Sequence, residues 1–243
     1  MSIPAGLRAA FFDLDGTLMD REPLMQAAVA DLFVAHGSAP AADDLAALVG
    51  RAWPDVHRAL GVEASLGLDL DAFLADVLGR AERLVDGGFA TEVLAGGREL
   101  VERLHRAGVP VLLVTGSLRR EADAAIAHLG IGGCLRGVLA AEDYAPGKPD
   151  PACYLAASRL VGGGDGALVF EDSEVGVDAA RAAGLRVLAT EAANRPPGDP
   201  SHQDLRRADV VVAGLDEVTD AVLARALGPD PGPEAAENPG SRS

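Results

Sequence analysis

The sequence predicts an α/β protein, a doubly wound parallel sheet with an inserted all-helical lobe, and three observations predict it. Short runs such as Ala9 to Phe12, Val109 to Val114 and Ala167 to Phe170 are apolar throughout, as strands covered on both faces must be. From residue 98 onward such runs alternate with segments of helical periodicity, the rhythm of βαβ units. Between the first run and the second, residues 17–92 carry apolar residues at helical spacing and show no strand pattern.

In chain order, Gly16 ends the first run as a turn. The insertion then shows Leu24, Ala28 and Leu32 in one helical set, Leu45, Leu48 and Val49 in a second, and Phe73, Val77, Leu78 and Leu84 in a third, with Gly50, Pro54 and Gly61 read as breaks. Val93 to Gly97 reads as a linker back to the sheet. A helix over 98–106 follows, with Leu100, Val101 and Leu104 on one face, and then the strand Val109 to Val114. Further expected elements are a helix over 118–129, a strand over 137–140, a helix over 151–161, a strand over 167–171, a helix over 174–183, and strands over 185–190 and 209–212. The predicted organisation is a core of residues 1–16 and 93–227, a helical domain over 17–92, and a disordered tail over 228–243, rich in Pro, Gly and Glu.

The chain has 243 residues, about half of them hydrophobic, enough for a sizeable core with a smaller lobe. A formal charge of -16 without basic runs argues against nucleic-acid binding and against attachment to anionic lipid. Small molecules are the expected ligands, and the protein is expected to be a monomer or a small homo-oligomer. Cys134 and Cys153 form no Cys-x-x-Cys pair, which fits a reducing, intracellular setting. Met1 to Arg8 lacks a long apolar stretch and no segment approaches a membrane span, so a cytoplasmic location is expected.

The polar residues that stand out lie at expected strand ends. Asp13 and Asp15 close the first run, and strand alternation sends both to one side, where two carboxylates need a cation or a shared proton. Thr115, Gly116 and Ser117 close the next strand, Lys148 lies on the loop after the strand near Val138, and Glu171 and Asp172 close the strand Ala167 to Phe170. In doubly wound sheets ligands bind outside these carboxyl ends, at the switch in strand order. Up to four negative charges in one crevice call for a divalent cation with oxygen ligands, most naturally Mg²⁺, and a phosphoryl group would complete its coordination. One carboxylate can then attack phosphorus while the other handles the proton on the leaving oxygen and later on water. Thr115 and the amides of Gly116 and Ser117 offer donors to phosphoryl oxygens. Lys148, the one lysine among 21 basic residues, offers a compact positive charge.

Taken together and in this order, Asp-Leu-Asp-Gly-Thr at 13–17, Val-Thr-Gly-Ser at 114–117, Gly-Lys-Pro-Asp-Pro at 147–151 and Glu-Asp-Ser-Glu-Val-Gly-Val at 171–177 resemble the haloacid dehalogenase superfamily. The resemblance spans residues 9–227. It points to the branch with a Rossmann-like core and a helical cap after the first strand, which includes phosphoglycolate phosphatase and β-phosphoglucomutase-like members. It implies Asp13 as nucleophile, Asp15 as acid/base, and Thr115 and Lys148 as phosphoryl ligands. It also implies Asp172 as a metal ligand together with Asp13 and the Asp15 carbonyl, while members differ over Glu171. The presence of Asp15 argues against dehalogenation, and a cap without lysine argues against Schiff-base chemistry. Met25 stands where mutase relatives carry a histidine. What remains is Mg²⁺-dependent hydrolysis of a small phosphorylated metabolite, a sugar phosphate or similar, through an aspartyl phosphate. The alternatives are a β-phosphoglucomutase-like phosphomutase, phosphoryl transfer to another alcohol, and an inactive binding module. Arg51 and Trp53 are the candidates for substrate specificity, against a plain solvated arginine and a packed tryptophan. Met19, Asp20, Arg21 and Glu22 either line the entrance or serve as a hinge.

Overall fold

The computed structural model describes residues 3–41, 44–45, 53–199 and 201–229; Gly50, Arg51 and the expected tail from residue 230 onward lie outside them. The chain starts the sheet with β1 (Ala9–Phe12) and leaves it through the two-residue β2 (Met19–Asp20). The cap follows as α1 (Glu22–Ala35), α2 (Trp53–Ala59), α3 (Val62–Leu66) and α4 (Leu70–Asp86). It returns by β3 (Glu92–Val93) and α5 (Gly97–Arg106) to β4 (Val111–Val114). Then come α6 (Arg119–Leu129), β5 (Gly137–Leu139), α7 (Ala152–Val161), β6 (Ala167–Glu171), α8 (Glu174–Ala182), β7 (Arg186–Thr190), β8 (Val210–Val212) and α9 (Asp220–Leu227).

The main sheet has the order β5-β4-β1-β6-β7-β8 and is parallel throughout. From β1 the chain steps outward to β4 and β5, then crosses to β6 on the other side of β1, so the switch in strand order falls at β1. Alternation along the strands feeds two cores. Ala10, Phe12, Leu113 and Phe170 pack on one side with Leu100, Val101 and Leu104 of α5. Phe11, Leu112, Val114 and Val169 pack on the other with Tyr154 and Ala157 of α7 and Val177 of α8. Phe12 and Phe170, directly paired across the sheet, stack with ring centroids 4.2 Å apart. This stack holds β1 against β6 just below the residues that follow both strands.

The cap has its own core, in which Leu24, Val29 and Leu32 of α1 meet Phe73 and Val77 of α4, with Val56 and Val62 from the shorter helices. The Asp69 carboxylate caps α4 by accepting from the Ala72 N–H at 2.8 Å. One detail differs from the sequence reading. Within the span read as purely helical, Met19 pairs with Val93 and Asp20 with Glu92, so that an antiparallel ribbon carries the chain out to the cap and back. Two-residue strands are too short to show a period. Pro54 sits in the first turn of α2, where a missing N–H costs little and a proline marks a helix start. Cys134 and Cys153 are free thiols, and among the described residues no helix is long and apolar enough to cross a membrane.

Candidate active site

The carboxyl ends of β1, β4 and β6 meet at the switch point, and each delivers polar groups to one cavity of about 500 Å³. Asp13 directly follows β1, and its N–H bonds the Phe170 carbonyl at 2.9 Å, which locks the residue to the neighbouring strand. Lys148 reaches in from the loop after β5. Its Nζ donates to Asp13 Oδ1 at 2.6 Å and to Glu171 Oε1 at 2.5 Å. All three side chains are buried, Glu171 completely, so this bridge operates in a medium of low dielectric.

Glu171 is held on every side. Besides Lys148, Oε1 accepts from the Tyr154 hydroxyl at 2.7 Å, while Oε2 accepts from the N–H groups of Asp172 and Ser173 and from Ser173 Oγ. Burial alone would raise its pKa, but the Lys148 charge and these donors outweigh burial and leave it lowered. Asp13 shows the opposite balance. Burial, assisted by the Glu171 charge, overcomes the pull of Lys148 and lifts its carboxyl to about 7. Asp172 is pushed well up by burial and then by Asp13 and Glu171, and the one hydrogen bond to its carboxylate among the described contacts is a 3.2 Å bond from Thr17 Oγ1. Lys148 is held well above its ordinary value because the two carboxylates outweigh its own desolvation.

One oxygen from each of Asp13, Glu171 and Asp172 lies within 4.8 Å of the others, an all-oxygen set suited to a hard divalent cation. The surroundings fit such an ion. Two carboxyl groups here are destabilised as anions, and Gly16, at φ +81°, leaves room that a Cβ would take, since it would lie 1.9 Å from Asp172 Oδ2. Within the set, Asp13 and Asp172 are the better donors, because both oxygens of Glu171 already serve Lys148 and its other partners. Asp15, also expected as a metal ligand, brings no carboxylate oxygen to this cluster, and that expectation rests on its main-chain carbonyl.

The Asp15 carboxylate is committed elsewhere. Arg21 grips it through Nε to Oδ1 at 2.6 Å and Nη2 to Oδ2 at 2.8 Å, and the Ser117 hydroxyl donates to Oδ2 at 2.5 Å while accepting from Arg21 Nη2 at 2.9 Å. Although burial raises its pKa, Arg21 and Ser117 outweigh burial and hold Asp15 below the usual carboxylate range. Arg21 sits between β2 and α1 as the N-cap of α1, so this clamp ties the core to the start of the cap helix. The residues after the first motif were open between entrance and hinge. The structure lines the cavity with Arg21 and Glu22, and the arginine six residues after Asp15 gave no spacing signal for its grip on that carboxylate.

The Thr115 hydroxyl oxygen accepts the Ser117 N–H at 3.0 Å, which leaves the O–H proton to donate, and the Thr115 carbonyl accepts from Tyr144 Oη at 2.8 Å. Thr115, Gly116 and Ser117 all line the cavity beside Asp13, Asp15, Lys148 and Asp172, while Glu171 lies beneath Lys148. Trp53, packed against the cap core, lines the same cavity. Tyr154 and Tyr144 were not singled out by sequence: each is an ordinary aromatic in its own segment, and only the fold points its hydroxyl at the site.

The family model for haloacid dehalogenase-like hydrolases matches residues 7–184. A phosphoglycolate phosphatase from Rhodobacter capsulatus is 33% identical over 196 residues, covering 79% of this chain and 88% of the relative. A validoxylamine A 7'-phosphate phosphatase from Streptomyces hygroscopicus subsp. limoneus is 34% identical over 212 residues, covering 87% and 95%. Among solved structures, a putative β-phosphoglucomutase from Thermotoga maritima is similar with a TM-score of 0.68 at 27% identity, covering 87% of this chain and 96% of that one.

Proposed function

The chain belongs to the haloacid dehalogenase-like hydrolase family, and on that ground we propose that it is a phosphatase that hydrolyses a small phosphorylated metabolite with the help of a divalent cation, Asp13 acting as nucleophile. The observation that carries the reading is the bridge of Lys148 between Asp13 and Glu171 at the strand switch point, with Asp172 alongside. It supports the reading because it sets a candidate nucleophile, a fixed positive charge and a candidate metal ligand side by side.

Asp13 and Asp172 would hold the cation, Mg²⁺ by the hardness of the donors, which when bound would offset charge on the phosphoryl oxygens. Asp13 would attack phosphorus as the bond to the leaving oxygen breaks, and Asp15 in its protonated form would supply that oxygen with a proton. The resulting aspartyl phosphate would be opened by a water whose proton passes to Asp15, the ionised form that Arg21 and Ser117 favour. Lys148, with Thr115 and the amides of Gly116 and Ser117, would bind the phosphoryl oxygens as charge moves onto them, and Glu171 would keep Lys148 in place. Met25 lines the cavity where the mutase alternative calls for a histidine, which favours water as the final acceptor.

The test is release of inorganic phosphate from a panel of phosphomonoesters with Mg²⁺ or with chelator, comparing the wild type with Asp13→Asn. Metal-dependent release reduced by about a thousandfold or more in the variant is expected. Full activity of Asp13→Asn, or rates indifferent to chelator, would sink the mechanism.

A further inference from the structure

Resting on the phosphatase reading, we propose that Tyr154 is a positioning residue for the reaction, its hydroxyl keeping the Lys148 ammonium within reach of the nucleophile and the phosphoryl group instead of letting it settle on Glu171. Tyr154 stands in the first turn of α7, is completely buried and does not line the cavity. It nevertheless touches both members of the bridge beneath the site. Its Oη donates to Glu171 Oε1 at 2.7 Å, the same oxygen that accepts from Lys148 Nζ at 2.5 Å. Nζ also lies 5.2 Å from the centroid of the Tyr154 ring, within the range of a cation–π contact. A phenylalanine would fill this place in the core equally well, so packing does not account for the hydroxyl.

What the hydroxyl does follows from competition for one cation. Lys148 divides its donors between Asp13 Oδ1 at 2.6 Å, Glu171 Oε1 and, more weakly, the Val114 carbonyl at 3.4 Å. Glu171 is fully buried, so water cannot solvate it, and acceptor capacity left unfilled on Oε1 is directed at Lys148. Turning the carboxylate brings no relief, because Oε2 is held by the N–H groups of Asp172 and Ser173 and by Ser173 Oγ. The Tyr154 hydroxyl takes up part of the demand on Oε1. Without it, Glu171 draws Nζ deeper, away from Asp13 and from the position of the phosphoryl oxygens.

Tyr154→Phe removes one oxygen and keeps the ring, and Glu171 keeps its other donors, so the variant should fold, which a thermal melt checks. With Mg²⁺ and the best substrate of the phosphomonoester panel, kcat and kcat/KM should fall together by about tenfold, with KM within about threefold of wild type. Lys148 is the one lysine in the chain, so protein grown with isotope-labelled lysine gives a single ammonium-bearing side chain by NMR. Its Cε and Nζ resonances should move in the variant, whereas loss of a hydroxyl with a merely structural role would leave them in place. Rates within about twofold of wild type, a change confined to KM, or a loss of rate with the Lys148 resonances unmoved each overturns this proposal and leaves the phosphatase reading standing. A wild type that releases no phosphate from any member of the panel, acetyl phosphate included, overturns the phosphatase reading and this proposal with it.

Discussion

Replacing Lys148 with methionine keeps the length of the side chain and removes its charge from between two buried carboxylates. Lys148 is 10% exposed and Glu171 0%, so solvent cannot compensate. Leaving a buried partner unpaired typically costs about 3–5 kcal/mol. The structure gives an independent bound. With Lys148 gone, Glu171 takes up a proton instead of staying charged, and at pH 7 that costs about 1.36 kcal/mol for each of roughly 2.5 pH units above its ordinary 4.5, or about 3.4 kcal/mol. Asp13, already near 7, adds little. In the wild type the lowered Glu171 pKa contributes stability above pH 4.5; in the variant the raised pKa makes the folded state bind the extra proton, so stability falls as pH rises from that value. In chelator, the melting midpoint should therefore drop relative to wild type by about 7–14 °C at pH 7, taking roughly 2–4 °C per kcal/mol for a chain of this size. At pH 5.5 the same bound is about 1.4 kcal/mol, a drop of about 3–5 °C. Adding Glu171→Gln to the variant should restore part of the loss at pH 7. A midpoint within about 2 °C of wild type at pH 7, or an equal loss at both pH values, would refute the reasoning.

Asp172→Asn removes a carboxyl group crowded by Asp13 and Glu171, so in chelator it should melt a few degrees above wild type. Mg²⁺ at about a hundred times its dissociation constant should raise the wild-type midpoint by roughly 5–11 °C, from about 2.7 kcal/mol of linkage, and should leave this variant nearly unmoved; a retained shift would remove Asp172 from the metal set. Arg21→Met leaves the Asp15 carboxylate with Ser117 as its remaining side-chain donor. The variant should lose about 10–100-fold in kcat and in kcat/KM alike, whereas a change confined to KM would place Arg21 on the substrate instead.

The sheet was legible because its strands are short apolar runs, bounded by turn residues and alternating with segments of helical period. The cap was legible as helices but not at its root. Met19–Asp20 and Glu92–Val93 pair across 71 intervening positions and carry too few residues to declare themselves. Strand-end placement also singled out Asp13, Thr115, Lys148 and Asp172, since polar residues closing buried strands have few structural reasons to be there.

By itself, then, the sequence determined the parallel α/β class, the helical insertion and which residue types gather at the strand ends, because these follow from periodicity and from the cost of burying charge, both local properties of the chain. The tertiary structure alone decided how those groups divide the work. It gave Glu171 to Lys148, Tyr154 and Ser173, it gave Asp15 to Arg21 and Ser117, and it left Asp13 and Asp172 facing each other. A carboxylate's partners are set by distances of a few ångströms between residues far apart in the chain, such as the 135 positions separating Asp13 from Lys148, and no local pattern encodes such distances.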